Sequence, residues 1–415
     1  MIHPVDHQAP LALLGRPKLR RLLAVLNGGG EETRIVGGAI RNALLGRPVS
    51  EVDLATTASP LVTDRKARGA GLKTVPTGIE HGTITVLVEG EPFEVTTLRE
   101  DVETDGRRAV VHFGRDFAAD AHRRDFTINA LSLDVAGKIH DYTGGVDDLA
   151  ARRVRFIGDA RTRIREDYLR ILRFFRFYAE YGEAEPDAEG LAAAGLERAG
   201  LAILSRERVR HEWLKILVAR RSGDTLAILS EHGFLTWLID GAAEMGRYNR
   251  ACALDSAMPD PIARLAALAV MVREDSDRLR ERLRLSNDEH RRLGVFGDLV
   301  CGLKSDERTL TAIDMRRLVA DHGPEWLAFA MGVLAGEPRP LADAEALATL
   351  AAFHDGSETV PAFPLRGADF LKAGIAPGPE LGHLLVRARE AWLLAGCPTD
   401  EGAAARLMET ARAGM

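Results

Sequence analysis

The sequence predicts an α+β protein, in which an N-terminal domain built on a mixed β-sheet is followed by a long all-α remainder. Three observations carry this reading. Up to about residue 145, short apolar stretches alternate with polar residues and are broken by glycine turns. Beyond residue 161 the chain is rich in Ala, Leu, Arg and Glu at helical spacing. Its 415 residues, 46% of them hydrophobic, are also enough to bury several cores. The expected divisions are a helical extension at 1–30, the sheet domain at 31–150, a helical segment at 151–222 and a second all-α region at 223–415.

Taken in order, residues 34–36 read as a strand that runs into Gly37-Gly38 and a short helix at 39–45, closed by Gly46. A second strand is expected at 49–54. Ile84, Val86 and Val88 alternate along 83–88, and Gly90 and Pro92 turn the chain into 93–98, which predicts a hairpin. One helix is expected over 161–181, ending at Gly182, and another over 206–220. Residues 225–415 read as helices with proline-marked loops and carry no legible chemistry.

Cys252, Cys301 and Cys397 are odd in number, far apart and in no metal-ligand spacing, which predicts reduced thiols and a cytoplasmic setting. The longest apolar run, 265–272, is too short to span a bilayer, and no signal-peptide pattern precedes Arg20 and Arg21, so no membrane association is expected. The net charge of −6 excludes a globally basic nucleic-acid binder. Locally, however, residues 152–176 carry nine arginines against Asp159, Glu166 and Asp167, a net of +6 facing a polyanion.

Residues two apart on a strand share a face, so Glu51 and Asp53 present paired carboxylates. Glu94, out of phase with the inward Phe93 and Val95, offers a third from a neighbouring strand. Three acids could hold two Mg²⁺ ions, one activating a hydroxyl and one stabilising a leaving pyrophosphate. Alone, such an acid-x-acid pair reads as a solvated strand face. Its context is the string Val36-Gly37-Gly38-Ala39-Ile40-Arg41-Asn42-Ala43-Leu44-Leu45-Gly46-Arg47, followed by Glu51-Val52-Asp53-Leu54-Ala55-Thr56. That string resembles the first motif of the class II tRNA nucleotidyltransferase and bacterial poly(A) polymerase family, within the DNA polymerase β superfamily.

Four further motifs follow in the family's order. They are Arg123-Arg124-Asp125-Phe126-Thr127-Ile128-Asn129-Ala130, then Asp141-Tyr142-Thr143-Gly144-Gly145 with Asp147-Asp148-Leu149, then Glu166-Asp167-Tyr168-Leu169-Arg170 with Arg173, and finally Ser205-Arg206-Glu207-Arg208-Val209-Arg210 with Glu212 and Lys215. The resemblance implies a nucleotidyltransferase head followed by an all-α neck, body and tail. It implies addition or repair of the 3′-terminal CCA of tRNA from CTP and ATP, with Mg²⁺ as cofactor, the tRNA 3′ end as partner and no obligate protein partner. Glu51, Asp53 and Glu94 are then the catalytic acids. Gly37, Gly38, Arg41, Arg124, Asp125, Asn129, Asp167, Arg170 and Arg173 bind the nucleotide, and Arg161, Arg163, Arg206, Arg208, Arg210 and Lys215 contact RNA.

Asp167 and Arg170, three apart on the expected helix, share a face opposite the apolar stripe of Ile164, Tyr168, Ile171, Leu172 and Phe175. Cytosine and adenine both set an amino donor beside a ring-nitrogen acceptor. A carboxylate and a guanidinium can therefore read either base, whereas guanine and uracil would leave polar groups unpaired at roughly 1–3 kcal/mol each. The bland reading of such a pair is an intrahelical ion pair. The charged, glycine-interrupted stretch 99–113 is expected to be a mobile loop, which in the resembling family helps convert the pocket from CTP to ATP.

Two positions depart from the family pattern. Glu51 stands where the first acid is usually Asp, and Asn42 stands where the usual Arg-Asp pair has its Asp, removing a charge near the triphosphate. The rival enzyme is poly(A) polymerase. Pro76-Thr77-Gly78-Ile79-Glu80-His81-Gly82-Thr83 resembles the CCA-adding branch rather than the Gly-Arg-Arg-Phe string typical of that polymerase. A rival of another class is a nucleotide- or RNA-binding protein impaired in catalysis by the change at Glu51.

Overall fold

The computed structural model of the chain describes residues 5–78, 82–100, 112–254, 259–305, 308–337 and 342–413. Its strands are β1 Thr33–Val36, β2 Asp53–Thr56, β3 Lys73–Gly78, β4 Thr83–Val88, β5 Glu91–Thr97, β6 Arg99–Glu100, β7 His112–Phe113, β8 Ser132–Leu133 and β9 Ile139–His140. Seven form one mixed sheet in the order β3-β4-β5-β2-β1-β8-β9, while β6 and β7 pair separately. β2 is the pivot of this sheet, running antiparallel to β1 (Val36 opposite Asp53) and parallel to β5 (Leu54 opposite Val95). The hairpin β4–β5 is paired along its length, and Ile84, Val86, Val88, Phe93 and Val95 are all buried, as the period-two alternation requires.

Contacts divide the chain into two compact units, residues 1–212 with 219–225, and residues 213–218 with 226–415. In the first unit the helices are α1 Leu11–Leu14, α2 Pro17–Leu26, α3 Gly38–Leu44, α4 Pro60–Gly69, α5 Phe117–His122, α6 Gly145–Ala150, α7 Ala160–Glu166, α8 Leu169–Tyr181 and α9 Ala188–Leu196, together with the first part of α10, Arg206–Val218. Its interior is aromatic. The ring of Phe126 lies 4.8 Å from Phe156 and 5.2 Å from Phe177, and Phe156 stacks on Phe174 at 5.5 Å. The second unit is helical. The apolar run expected to be too short for a membrane is largely the helix Pro261–Ala269, buried in its core, and among the described residues no helix is long and apolar enough to cross a membrane.

Two expected elements differ. The strand placed at 49–54 begins only at Asp53, because β1 leaves the sheet at Gly37 (φ 68°), just past the Val36 that faces Asp53, and the pairing with β5 starts only at Leu54. The single helix expected over 161–181 is two helices broken at Asp167, which is extended (φ −155°, ψ 106°). Its side chain accepts the Leu169 N–H at 3.1 Å and so competes with the helical ladder. Of the charged loop expected at 99–113, residues 101–111 lie outside the described residues, as do Ile79, Glu80 and His81 of the segment after the first motif.

The third motif works structurally. Asp141 accepts the backbone N–H groups of Thr143, Gly144, Gly145 and Val146 at 2.9–3.1 Å, and the fully buried Asp148 holds Thr127, Arg153 and Arg155. A Cβ at Gly145 would stand 2.2 Å from the Thr127 carbonyl oxygen, a backbone atom that cannot swing away. Gly145→Ala is therefore expected to lower stability by about 1–3 kcal/mol, read as a fall in denaturation midpoint. On α5, burial raises the Asp120 carboxyl, but Arg124 and Arg123 outweigh it and leave its pKa below the usual value. Its stabilisation is then complete above the unfolded-state pKa near 4 and is lost as pH falls through the lower folded value. Asp120→Asn should cost stability at neutral pH and flatten the acid limb of the stability–pH curve between about pH 4 and 2.

Candidate active site

A cavity of about 510 Å³ opens in the first unit where β1, α3, the turn after α5, and α8 converge. Gly37, in a left-handed conformation, turns the chain from β1 into α3. A side chain there would press within 3.2 Å of Arg124, so the backbone itself forms that wall. Arg41, 8% exposed, projects from α3. Its guanidinium donates to Asn42 Oδ1 and to Asn129 Oδ1 and lies 4.1 Å from the centre of the Tyr181 ring. Burial, then Arg176 and Arg47, hold its pKa below the ordinary arginine value against the pull of Tyr181 and Glu180.

The second motif forms a buried turn beneath it. Asp125 Oδ1 accepts from the Phe126 N–H at 2.9 Å and from the Asn129 amide at 3.3 Å, and its Oδ2 accepts from Arg173 at 2.6 Å. Arg124 donates to Asp120 and to the Asn129 carbonyl. All nine residues expected to hold the nucleotide line this one cavity: Gly37, Gly38, Arg41, Arg124, Asp125, Asn129, Asp167, Arg170 and Arg173.

Asp167 and Arg170 line it from a different geometry than the one expected. Asp167 sits in the break between α7 and α8 and pairs with Arg208 at 2.7 Å. Arg170 pairs with Glu166 at 2.5 Å and donates to the Arg163 carbonyl. The two are not paired with each other, and the intrahelical ion pair of the bland reading is not formed.

Asp53 also lines a neighbouring cavity of about 290 Å³ with Glu94, Thr96, Asp120, Arg123 and Arg124. Asp53 and Glu94 are exposed on the same face of parallel strands β2 and β5, beside the buried Leu54 and Val95. Partial desolvation, then repulsion from Glu94 and Glu51, raises the Asp53 carboxyl against the pull of Arg124, so carboxylates crowd this spot although Asp53 still reaches solvent. Their charge and hard oxygen donors fit a divalent cation, which commonly binds through one or two carboxylates plus substrate phosphates. The expected three-acid set is not closed, since among the described residues no three His, Cys, Asp or Glu side chains are gathered as a metal site. Glu51 lies upstream of β2, exposed, and lines neither cavity.

The residues expected on RNA divide. Arg161 is half-exposed and pairs with Glu197; Arg163 is mostly buried and pinned to Glu166 and to the carbonyls of Ile157 and His122. Arg206 and Lys215 are exposed and Arg210 is half-buried, while Arg208 lines the 510 Å³ cavity instead. The +6 stripe is largely neutralised by acids from outside it, with Asp148 pairing Arg153 and Arg155, Glu197 pairing Arg161 and Arg165, Asp125 pairing Arg173 and Glu212 pairing Arg176. Sequence reasoning missed Arg123, Leu169 and Phe177 as lining residues. Phe177 falls four residues after Arg173 and seven after Arg170, a same-face signal that could have found it.

Residues 33–155 match the family model described as the poly A polymerase head domain, and residues 196–245 match a probable RNA and SrmB-binding site of polymerase A. The mitochondrial CCA tRNA nucleotidyltransferase 1 of Danio rerio is 38% identical over 87% of this chain and 83% of its own. Its Homo sapiens counterpart is 34% identical over 91% and 86%. The crystal structure of the Bacillus stearothermophilus CCA-adding enzyme in complex with CTP superposes with a TM-score of 0.71 at 25% identity, covering 96% of this chain and 99% of that one. With this likeness along nearly its whole length, the chain belongs to the CCA tRNA nucleotidyltransferase family.

Proposed function

We propose that this protein adds or repairs the 3′-terminal CCA of tRNA, using CTP and ATP and releasing pyrophosphate. The observation that carries the reading is the convergence of the nine sequence-derived nucleotide residues on one cavity with Asp53 at its edge. Arg41 and Arg124 offer positive charge to a triphosphate. The terminal hydroxyl of the RNA attacks the α-phosphate, and acceleration comes from holding the reactants in register and neutralising charge. Asp53 and Glu94, with Glu51 adding charge just upstream, would hold Mg²⁺, two ions in the fullest form of the site. A bound divalent cation supplies charge neutralisation and lowers the pKa of the attacking hydroxyl.

Asp167 accepts the amino hydrogen shared by cytosine and adenine, and Arg170 donates to the ring nitrogen. Each Asp167 oxygen already accepts one protein donor, from Leu169 or Arg208, and keeps a further lone pair for the base. The head at 31–150 carries the chemistry, the neck at 151–222 the base reading, and the region 223–415 the placement of tRNA. The exposed Arg161, Arg206 and Lys215 and the half-buried Arg210 are each assigned to RNA phosphates. The three free cysteines suit a reducing compartment, and we assign the cytoplasm, although the vertebrate relatives carry mitochondrial names.

Incubating the protein with Mg²⁺ and a tRNA lacking CCA, with CTP and ATP separately and together, should give three additions when both are present. A long ladder with ATP alone would establish a poly(A) polymerase instead, and no product would leave a binding protein. Asp167→Ala should lower the preference for CTP and ATP over UTP and GTP by about ten- to a hundredfold in kcat/KM, as one or two unpaired polar groups imply; unchanged selectivity would remove Asp167 from base reading.

A further inference from the structure

Asn42, where the resembling family carries an acid, occupies a node rather than a vacancy. Its Oδ1 accepts from Arg41 Nε at 3.1 Å, from Arg41 Nη2 at 3.0 Å and from the Tyr181 hydroxyl at 3.2 Å. The Tyr181 ring packs against two guanidinium groups, Arg41 at 4.1 Å and Arg47 at 4.7 Å, and Arg47 is paired with Glu180. The remaining acceptor of Arg41 is the amide oxygen of Asn129. Among the described residues, then, the acceptors that hold Arg41 are uncharged, whereas its neighbours Arg47, Arg173 and Arg176 each have a carboxylate partner. On the other side of Asn42, Nδ2 faces the Pro48 carbonyl at 3.4 Å, where a second carboxylate oxygen would meet another oxygen.

We propose that Asn42 is a positioning residue for the nucleotide's triphosphate, fixing the Arg41 guanidinium in the cavity wall through a neutral acceptor, so that, with Glu180 acting only at a distance, the incoming polyphosphate is the first anion bonded to that cation. This deepens the reading of the 510 Å³ cavity as the nucleotide site and rests on it. An aspartate at this position would make Arg41 half of an ion pair before substrate arrives. The triphosphate would then have to share the guanidinium with a fixed carboxylate, and its attraction would weaken. An alanine would leave the charge but release the geometry, because Arg41 would lose the oxygen that takes two of its donors.

The test compares the wild-type protein with Asn42→Asp and Asn42→Ala, measuring equilibrium binding of CTP and ATP, KM and kcat on a tRNA lacking CCA, and each at several salt concentrations. Asn42→Asp, nearly isosteric, is expected to weaken binding and raise KM for both nucleotides by about five- to tenfold, the difference between a charge-assisted and a neutral partner. It should leave kcat within about twofold and make the salt dependence of nucleotide binding shallower. Asn42→Ala should also raise KM but keep the wild-type salt dependence, which separates position from charge. The thermal midpoint of each variant is measured alongside: lost hydrogen bonds at position 42 lower it, but only a change of charge at Arg41 alters the salt slope, so the slope and not the midpoint decides the assignment. If the wild type binds CTP and Asn42→Asp binds it equally well with the same salt slope, the assignment of Asn42 is overturned while the nucleotide cavity stands. If the wild type binds neither nucleotide, the cavity reading falls and the assignment falls with it.

Discussion

The buried turn from Asp125 to Asn129 is the joint on which the rest of the site depends. Asp125 is satisfied by its own turn on one oxygen and by Arg173 of α8 on the other, and Asn129 takes Arg41 of α3 on its side chain and Arg124 on its carbonyl. Phe126, between them, is fully buried against Phe156 and Phe177. Aromatic packing thus fixes the backbone, and the backbone fixes three cations from three different elements around one cavity. The polar groups here are each engaged, as a buried network must be if it is to specify one geometry rather than several.

Charge in this unit is organised by partners distant in sequence. The arginine-rich stretch 152–176, strongly positive when counted along the chain, meets Asp125, Asp148, Glu197 and Glu212. What is left for a polyanion is therefore decided by which cations keep exposed or neutral partners, not by how many the stretch contains. Arg41 keeps neutral ones. Asp53, on the same cavity, is raised by partial desolvation and by the nearby Glu94 and Glu51 against the pull of Arg124. A cation held by neutral acceptors and crowded carboxylates on one cavity are the complement that the proposed polyphosphate substrate and a divalent cation would need.

Much of this was legible in the residues. The alternation of Ile84, Val86, Val88, Phe93 and Val95 placed the hairpin and turned Glu94 outward, and the glycine pair before Arg41 marked the turn into α3. The nine residues that the motif strings implied for the nucleotide lie on one cavity. Less legible were the ends of elements. Nothing local to Val49 or Glu51 says that β1 is only four residues long, so the start of β2 at Asp53 could not be read from its own segment. The break at Asp167 was likewise hidden, because helical spacing of Ile164, Ile171, Leu172 and Phe175 continues through it while the Asp side chain captures the Leu169 N–H.

By itself the sequence determined the fold class, the hairpin face that turns Glu94 outward and the motif residues that meet on one cavity, since periodicity, glycine turns and motif order are local properties of the chain. Only the tertiary structure decided which of those groups remain available. Arg208, expected on RNA, was brought to Asp167, Arg163 was withdrawn into a structural role, and Asn42 became the acceptor that holds Arg41. Ion pairs and buried hydrogen bonds join residues separated by tens of positions, and whether a charge is cancelled depends on distances that no single segment contains.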